Sequence, residues 1–272
     1  MKTISSRDNP IVHTYRELAS EADANGARLL LDGVHLVRDA HAARLDFESV
    51  AVAASRLTEE TEEAEVARAL EAAGVPVVSA PDLVFAAMSP VRSPSGIVAI
   101  AIRTPIDATA VWNTRNGFTL VAIDVQDPGN LGALIRAAEA GGVTGVVVSG
   151  VSAQPFSWKA LRGSMGSSIR LPVARASDLW MIVDCIQAAG TRTVAAVARG
   201  GRAPDDIDWT GSVALLLGGE GPGLSDDVIA RCDDRVTIPM APHVESLNVA
   251  VAGGVLIYAA RRQRPSTTLG AS

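Results

Sequence analysis

Five polar side chains in three short stretches could bind and orient a polar ligand. They are Asn130 and Arg136 in DPGNLGALIRAAEAGG (127–142), Glu220 in LGGEGPGLS (217–225), and Ser246 and Asn248 in IPMAPHVESLNVAVAGG (238–254). In the first stretch Pro128-Gly129 reads as a turn and Asn130 as the helix N-cap. Leu131, Leu134, Ile135 and Ala138 then recur at helical spacing as the buried stripe, with Arg136 roughly opposite. In the second, the glycines allow positive φ or a close backbone approach. It is neither a P-loop nor a dinucleotide fingerprint, because no Gly-Lys-Ser/Thr follows and Glu220 is a poor neighbour for pyrophosphate. In the third, Ser246 reads as an N-cap, which leaves Asn248 a carboxamide one turn inside an apolar helix. Such a group must be satisfied locally or face something polar. Taken singly, the stretches are also what ordinary capped helices and a ligand-free glycine turn look like. Taken together they are three loops expected at the carboxyl ends of strands, where ligands of open α/β sheets gather.

The elements that must position these residues follow from hydrophobic periodicity. Nearly continuous apolar runs predict strands at Thr119–Asp124, Gly145–Ser149, Thr193–Ala198, Val213–Leu217 and Arg235–Ile238, as in a parallel sheet covered on both faces. Helices are predicted at Leu131–Ala140, Lys159–Gly163, Leu179–Ala189, Asp226–Arg231 and Leu247–Gln263, the last stopped by Pro265 before a frayed tail. Upstream, a small β-α-β-α-β set is expected. Its helices are Pro10–Ser20, Val34–Ala43, Thr58–Ala73 (capped by Thr58) and Pro81–Met88. Its strands are Leu29–Leu31, Phe47–Ala53, Val75–Ser79 and Gly96–Ile102. Between the sets, RTPIDATAVWNTRN (103–116) breaks both patterns and reads as a linker. The expected division is 1–103, a linker at 104–117, 118–264, and a tail at 265–272.

A hydrophobic fraction of 48% with 20% charged residues describes a folded α/β chain. The net charge of −6 argues against a generic polyanion binder. Of the 24 basic residues 22 are arginine, so phosphate contacts would be made by guanidinium forks. The acidic cluster Glu59, Glu60, Glu62, Glu63 and Glu65 reads as a solvated face near a helix N-terminus. Cys185 and Cys232 lack metal-ligand spacing and read as reduced thiols; His13, His35, His41 and His243 are scattered, and no metal site is expected. MKTISSRDNP has no apolar signal region and no run reaches the ~20 apolar residues of a membrane span, so a cytoplasmic protein is expected.

The three stretches resemble, in order and over about 130 residues, the signature motifs of the SpoU (TrmH-like) family of RNA ribose 2′-O-methyltransferases. More loosely, SRDNPIVHTYREL, LLLDGVHLVRDA and SPSGIVAI resemble the small ribosomal-protein-like domain of that family's ribosomal-RNA members. The chain departs from the pattern at Gly219, where the family often has Asn, Ser or Ala, at Pro242, where it usually has Gly, and at Asp32, where it usually has Glu. Neither Gly219 nor Pro242 replaces a residue expected to supply a functional side chain.

The resemblance implies an α/β domain with a deep trefoil knot, acting as a homodimer whose site borrows residues across the interface. It implies S-adenosylmethionine as cofactor, held largely by backbone atoms of Gly218, Ile238 and Leu247, with Gly219 and Asn248 alongside. Asn130, Arg136, Glu220, Ser246 and Asn248 match the polar active-site positions. Arginine is effectively always protonated. Arg136 is therefore expected to bind an RNA phosphate and polarise the ribose hydroxyl, acting as a base only in a crowded, desolvated site. Asn130 and Ser246 would orient it, and Glu220 would hold the loop or pair with an arginine. Arg7 and Arg28 upstream, and Arg162 and Arg170 in the second domain, are the candidate RNA contacts. A ribosomal RNA acceptor is favoured over transfer RNA because of the N-terminal domain, and a thiostrepton-resistance-type enzyme is not separable from a housekeeping one. A non-catalytic RNA-binding protein would be signalled by loss of Asn130, Arg136 or Asn248, and all are present. A nucleotide-binding oxidoreductase would need a glycine fingerprint with a ribose-binding acid, which is missing.

Overall fold

A computed structural model describes residues 1–58, 60–221 and 223–264. Glu59, Pro222 and the expected tail with its Pro265 stop lie outside the described residues. The chain forms two units, Met1–Pro105 with Phe156–Arg170, and Ile106–Pro155 with Leu171–Ser272.

The first unit is built on a five-stranded sheet. Its strands are β1 (Lys2–Thr3), β2 (Arg28–Asp32), β3 (Asp46–Ala53), β4 (Val77–Ala80) and β5 (Ile97–Ile102), in the order β1-β4-β3-β5-β2. β1 and β3 pair parallel to β4, while β5 runs antiparallel to β2 and β3. Helix Pro10–Ser20 buries Val12, Tyr15 and Leu18 against Leu30, Ala51, Val98 and Ile100. The Tyr15 hydroxyl donates to the Ser49 carbonyl at 3.0 Å, and burial raises its pKa strongly.

The helix expected from Thr58 starts at Glu62, capped by Thr61, whose hydroxyl accepts from the Ala64 N–H at 3.3 Å. Its buried residues begin at Ala64, so a longer N-terminal end would have buried nothing. The helix expected over Pro81–Met88 is a single turn, Asp82–Phe85, continued by three-residue hydrogen bonds from Ala87 to Val84 and from Met88 to Phe85. The segment Phe156–Arg170, expected in the second domain, clusters with the first unit. There the Arg103 guanidinium lies 3.9 Å from the centroid of the Phe156 ring, and the Trp158 indole N–H donates to the Ala19 carbonyl at 3.0 Å.

The second unit is an all-parallel six-stranded sheet. Its strands are β6 (Phe118–Ile123), β7 (Gly145–Ser149), β8 (Val173–Arg175), β9 (Arg192–Ala196), β10 (Val213–Gly218) and β11 (Asp234–Val236), in the order β11-β9-β10-β6-β7-β8. Strand order reverses between β6 and β10, so the loops leaving both strands diverge at a topological switch point. On one face, helix Leu179–Ala188 buries Ile182, Val183 and Ile186 over Val121, Ile123 and Leu216. Val111 and Trp112, within the stretch expected as a linker, form a helical turn buried in that same core. On the other face, helices Pro128–Gly141 and Val249–Gln263 pack together. A Cβ at Gly253 would lie 2.3 Å from Leu134 Cδ1, which is why a residue without a side chain sits at their crossing. β1 and β8 gave no sequence signal because runs of two and three residues carry no period.

Among the described residues no helix is long and apolar enough to cross a membrane, and no cluster of three or more His, Cys, Asp or Glu could hold a metal ion. Cys185 and Cys232 are free and half-buried; burial pushes the Cys232 thiol up to about 11.

Candidate active site

A cavity of about 460 Å³ opens at the carboxyl ends of β9, β10 and β11. This is the size of a small-molecule or cofactor site, typically ~300–1,000 Å³. Its walls are Ala196 to Ala198 at the end of β9, glycine backbone from Gly218 at the end of β10, and Ile238, Met240 and Leu247 after β11. Gly218, Gly219, Ile238, Leu247 and Asn248, expected to hold a cofactor, all line it, as do Glu220 and Ser246. Glu220 is the only ionisable residue among the described lining residues.

The helix after β6 begins earlier than expected. Asp127 is its N-cap, its Oδ1 accepting the Asn130 backbone N–H at 2.7 Å, and Pro128 occupies the first helical position. Asp-Pro is a better start signal than Pro-Gly-Asn, because proline's missing N–H costs nothing there. Asn130 therefore lies inside the first turn, with its side chain free to reach outward. Its Nδ2 donates to Glu220 Oε1, and its Oδ1 accepts from Asn248 Nδ2 at 3.0 Å.

The last helix likewise starts at Val249, with Asn248 rather than Ser246 as N-cap. Asn248 Oδ1 accepts from the Ala250 and Val251 N–H groups at 3.0 and 3.3 Å. This settles the odd carboxamide: one end caps the helix and the other reaches Asn130. The result is a directed chain of donors, from helix N–H groups through Asn248 and Asn130 to the Glu220 carboxylate, in which every amide orientation is fixed. Ser246 lines the cavity and makes no hydrogen bond with any described residue.

Two residues that sequence reasoning missed hold this arrangement. Asp127 was legible as a cap. Replacing it with alanine is expected to lower the stability of the purified protein by about 1 kcal/mol in urea unfolding, the usual cost of a lost cap. Asp124 carried no signal: it takes a left-handed backbone (φ 57°) just past β6, and its carboxylate accepts the Val151 N–H at 2.8 Å. The lining at 196–198 was missed too, because it presents only small and apolar groups.

Arg136 is not brought to the cavity. It is exposed on helix Pro128–Gly141 and makes no hydrogen bond or ion pair with any described residue. The four arginines expected to meet RNA all belong to the first unit, including Arg162 and Arg170, which were expected in the second. Arg7 donates to the Leu83 carbonyl at 3.1 and 2.9 Å, Arg28 holds Glu48 through two hydrogen bonds, and Arg170 pairs with Asp39 at 2.7 Å. Arg162 is exposed. Burial raises the Asp32 carboxyl, against which a hydrogen bond from Ser95 and the Arg162 charge act.

A family model described as the SpoU rRNA Methylase family matches residues 117–258. A protein from Synechocystis named an uncharacterized tRNA/rRNA methyltransferase is 34% identical over 96% of this chain and 94% of its own length. A Bacillus subtilis protein named 23S rRNA (guanosine(2553)-2'-O)-methyltransferase is 30% identical over 95% of this chain and 98% of its own length. Among solved structures, an AdoMet-bound rRNA methyltransferase from Sinorhizobium meliloti superposes with a TM-score of 0.85 at 28% identity, covering 97% of this chain and 99% of that one.

Proposed function

The chain belongs to the SpoU rRNA methylase family, and from that premise we propose that it transfers a methyl group from S-adenosylmethionine to a ribose 2′-hydroxyl of RNA, with a nucleotide of 23S ribosomal RNA as acceptor. The observation that carries this reading is that the second and third polar stretches line one cavity while Asn130 of the first, outside the lining, is hydrogen-bonded to both Glu220 and Asn248 of that lining. The cavity fits the cofactor in volume and in its mostly apolar walls. Backbone around Gly218 and Gly219, with Ile238 and Leu247, would hold it. Bound there, it supplies a methyl group activated on a sulfonium. The protein's own work is then to align the acceptor oxygen, since positioning dominates an in-line displacement. In this reading the loop from β11 to Asn248 is the knotted segment, returning after the last strand to the cavity edge.

The test is calorimetric titration with S-adenosylmethionine, followed by mapping of 2′-O-methyl groups on 23S ribosomal RNA and on transfer RNA incubated with protein and cofactor. Saturable binding with a methylated 23S nucleotide supports the reading. A methylated transfer RNA would move the acceptor, and a folded protein that binds no cofactor would leave an RNA-binding scaffold.

We further propose a homodimer that brings Arg136 to the partner's cavity. Its support is an exposed apolar stripe, Val251 (53% exposed), Val255 (43%) and Tyr258 (51%), on the helix packed beside the one that bears Arg136. Val255→Glu is expected to turn a dimer into a monomer in sedimentation analysis and to lower turnover with it; an unchanged mass would place the interface elsewhere.

The first unit would hold the RNA. Arg162→Ala is expected to weaken RNA binding about tenfold at low salt and to flatten the salt dependence by about one phosphate contact. Unchanged filter-binding curves would remove Arg162 from the RNA surface. Deleting residues 1–103 is a poor test, because Phe156–Arg170 would lose the unit it packs in.

A further inference from the structure

We infer that a groove between the loops after β9 and β11 grips a phosphodiester of the RNA strand near the acceptor nucleotide, with Arg199 and His243 as its donors. The inference rests on the methyl-transfer reading above. The groove, of about 370 Å³, adjoins the cofactor cavity and shares Ile238 and Met240 with it. Among the described residues that line it, Arg199 and His243 are the only ionisable ones, and no carboxylate is present. Both are exposed, and neither side chain makes a hydrogen bond or ion pair with any described residue. Other arginines of this unit are spent differently: Arg192 and Arg202 pair with Asp234, and Arg262 pairs with Asp205.

The backbone supplies a second observation. The Val244 N–H donates to the Ala241 carbonyl at 3.3 Å, closing a four-residue turn with Pro242 second and His243 third. His243 has φ 74°. A turn with positive φ at its third position favours glycine or asparagine there, and a bulkier residue is strained. The turn itself has no need of an imidazole, yet it carries one into the groove that Arg199 also lines.

The ligand follows from the chemistry of the lining. A guanidinium offers paired N–H donors to two oxygens of a phosphate, and an imidazole N–H offers another. Pro239 and Pro242, with Ile238 and Met240, give an apolar wall for the ribose or base beside that phosphate. Chain length selects the part of the strand. His243 precedes Ser246 by three residues and Asn248 by five. Their Cα atoms therefore lie within about 11 and about 18 Å of its own, a span of roughly two or three nucleotides of extended RNA. A phosphate gripped there fixes the strand beside the polar edge of the cofactor cavity without touching the reacting atoms.

The probes are RNA oligonucleotides spanning the mapped 2′-O-methyl site. Each carries one neutral methylphosphonate, placed in turn at every phosphate within about three nucleotides of the acceptor. At one of these positions the replacement is expected to weaken binding to wild-type protein about tenfold. Arg199→Ala should bind the unmodified RNA about tenfold more weakly and lose its sensitivity to replacement at that same position. Its salt dependence should flatten by about one phosphate contact. His243→Gly separates a ligand role from a structural one. Glycine suits the turn, so the midpoint of urea unfolding should hold or rise, while RNA affinity falls at least about threefold.

Affinity of both variants for S-adenosylmethionine should stay within about twofold of wild type, a readout that needs no RNA. Unchanged RNA binding by Arg199→Ala or by His243→Gly overturns the inference, as does a methylphosphonate penalty that persists in full in Arg199→Ala. Loss of cofactor affinity with RNA binding intact would assign the groove to the cofactor and overturn it too. Wild-type protein that neither binds S-adenosylmethionine nor methylates RNA overturns instead the reading beneath it.

Discussion

Replacing Arg136 with alanine is expected to lower the single-turnover methylation rate about 1,000-fold, the scale of losing a charged group aimed at a reacting centre. Affinity for S-adenosylmethionine should change by no more than about twofold. The two halves of this result come from different observations. Arg136 lines no part of the cavity that Gly218, Ile238 and Leu247 line, so its loss should leave cofactor binding intact. It is also a guanidinium standing on an exposed helix face without an ion-pair partner among the described residues, beside the stripe through which a second copy would dock. Mixing Arg136→Ala with a cavity-dead variant such as Gly219→Ala tests the arrangement directly. If Arg136 serves the partner's cavity, mixed dimers regain up to about one working site in two, whereas sites served within one chain regain none. Near-wild-type turnover by Arg136→Ala would remove this residue from the mechanism.

The second large effect is expected at Gly219. A Cβ there would sit 1.8 Å from the Asp124 carbonyl oxygen and 2.4 Å from its carbon, distances that no side-chain rotation relieves because both atoms are backbone. Asp124 cannot easily retreat. It is the left-handed residue that ends β6, and its carboxylate holds the next loop through Val151. Gly219→Ala should therefore push the loop after β10 away from β6, part Glu220 from Asn130, and cost about 3 kcal/mol in urea unfolding. Cofactor binding should fall about 100-fold or more in calorimetry, since Gly218 and Gly219 are cavity wall. A stable variant with normal binding would mean that Asp124 can change its conformation at little cost. The sequence places Gly219 beside the cofactor and assigns no functional side chain to that position. In this chain the neighbouring backbone makes it a requirement.

Much of the second unit was legible beforehand for a plain reason. A strand buried on both faces must be apolar without interruption, so Gly145–Ser149 was placed to the residue and β6 and β10 to within one. The chemistry-bearing loops were legible because they follow those strands. Caps were read less well. Asn130 and Ser246 are good capping residues, yet Asp127 and Asn248 took the role, one preceding a proline and the other freed by a loop that extends further. Local propensity ranks the candidates, while the packing of the helix decides where it starts.

What the sequence alone determined, then, is the α/β class, the parallel sheet, the family and the identity of the polar residues. What only the tertiary structure decided is who touches whom. Asn130 meets Glu220 across 90 residues and Asn248 across 118, distances over which no local period carries information. Those meetings follow from β6 and β10 lying side by side at the switch point and from helix Val249–Gln263 packing on helix Pro128–Gly141. Strand order and helix crossing are set by which apolar faces bury best against each other. That is a property of the whole fold, not of any single stretch.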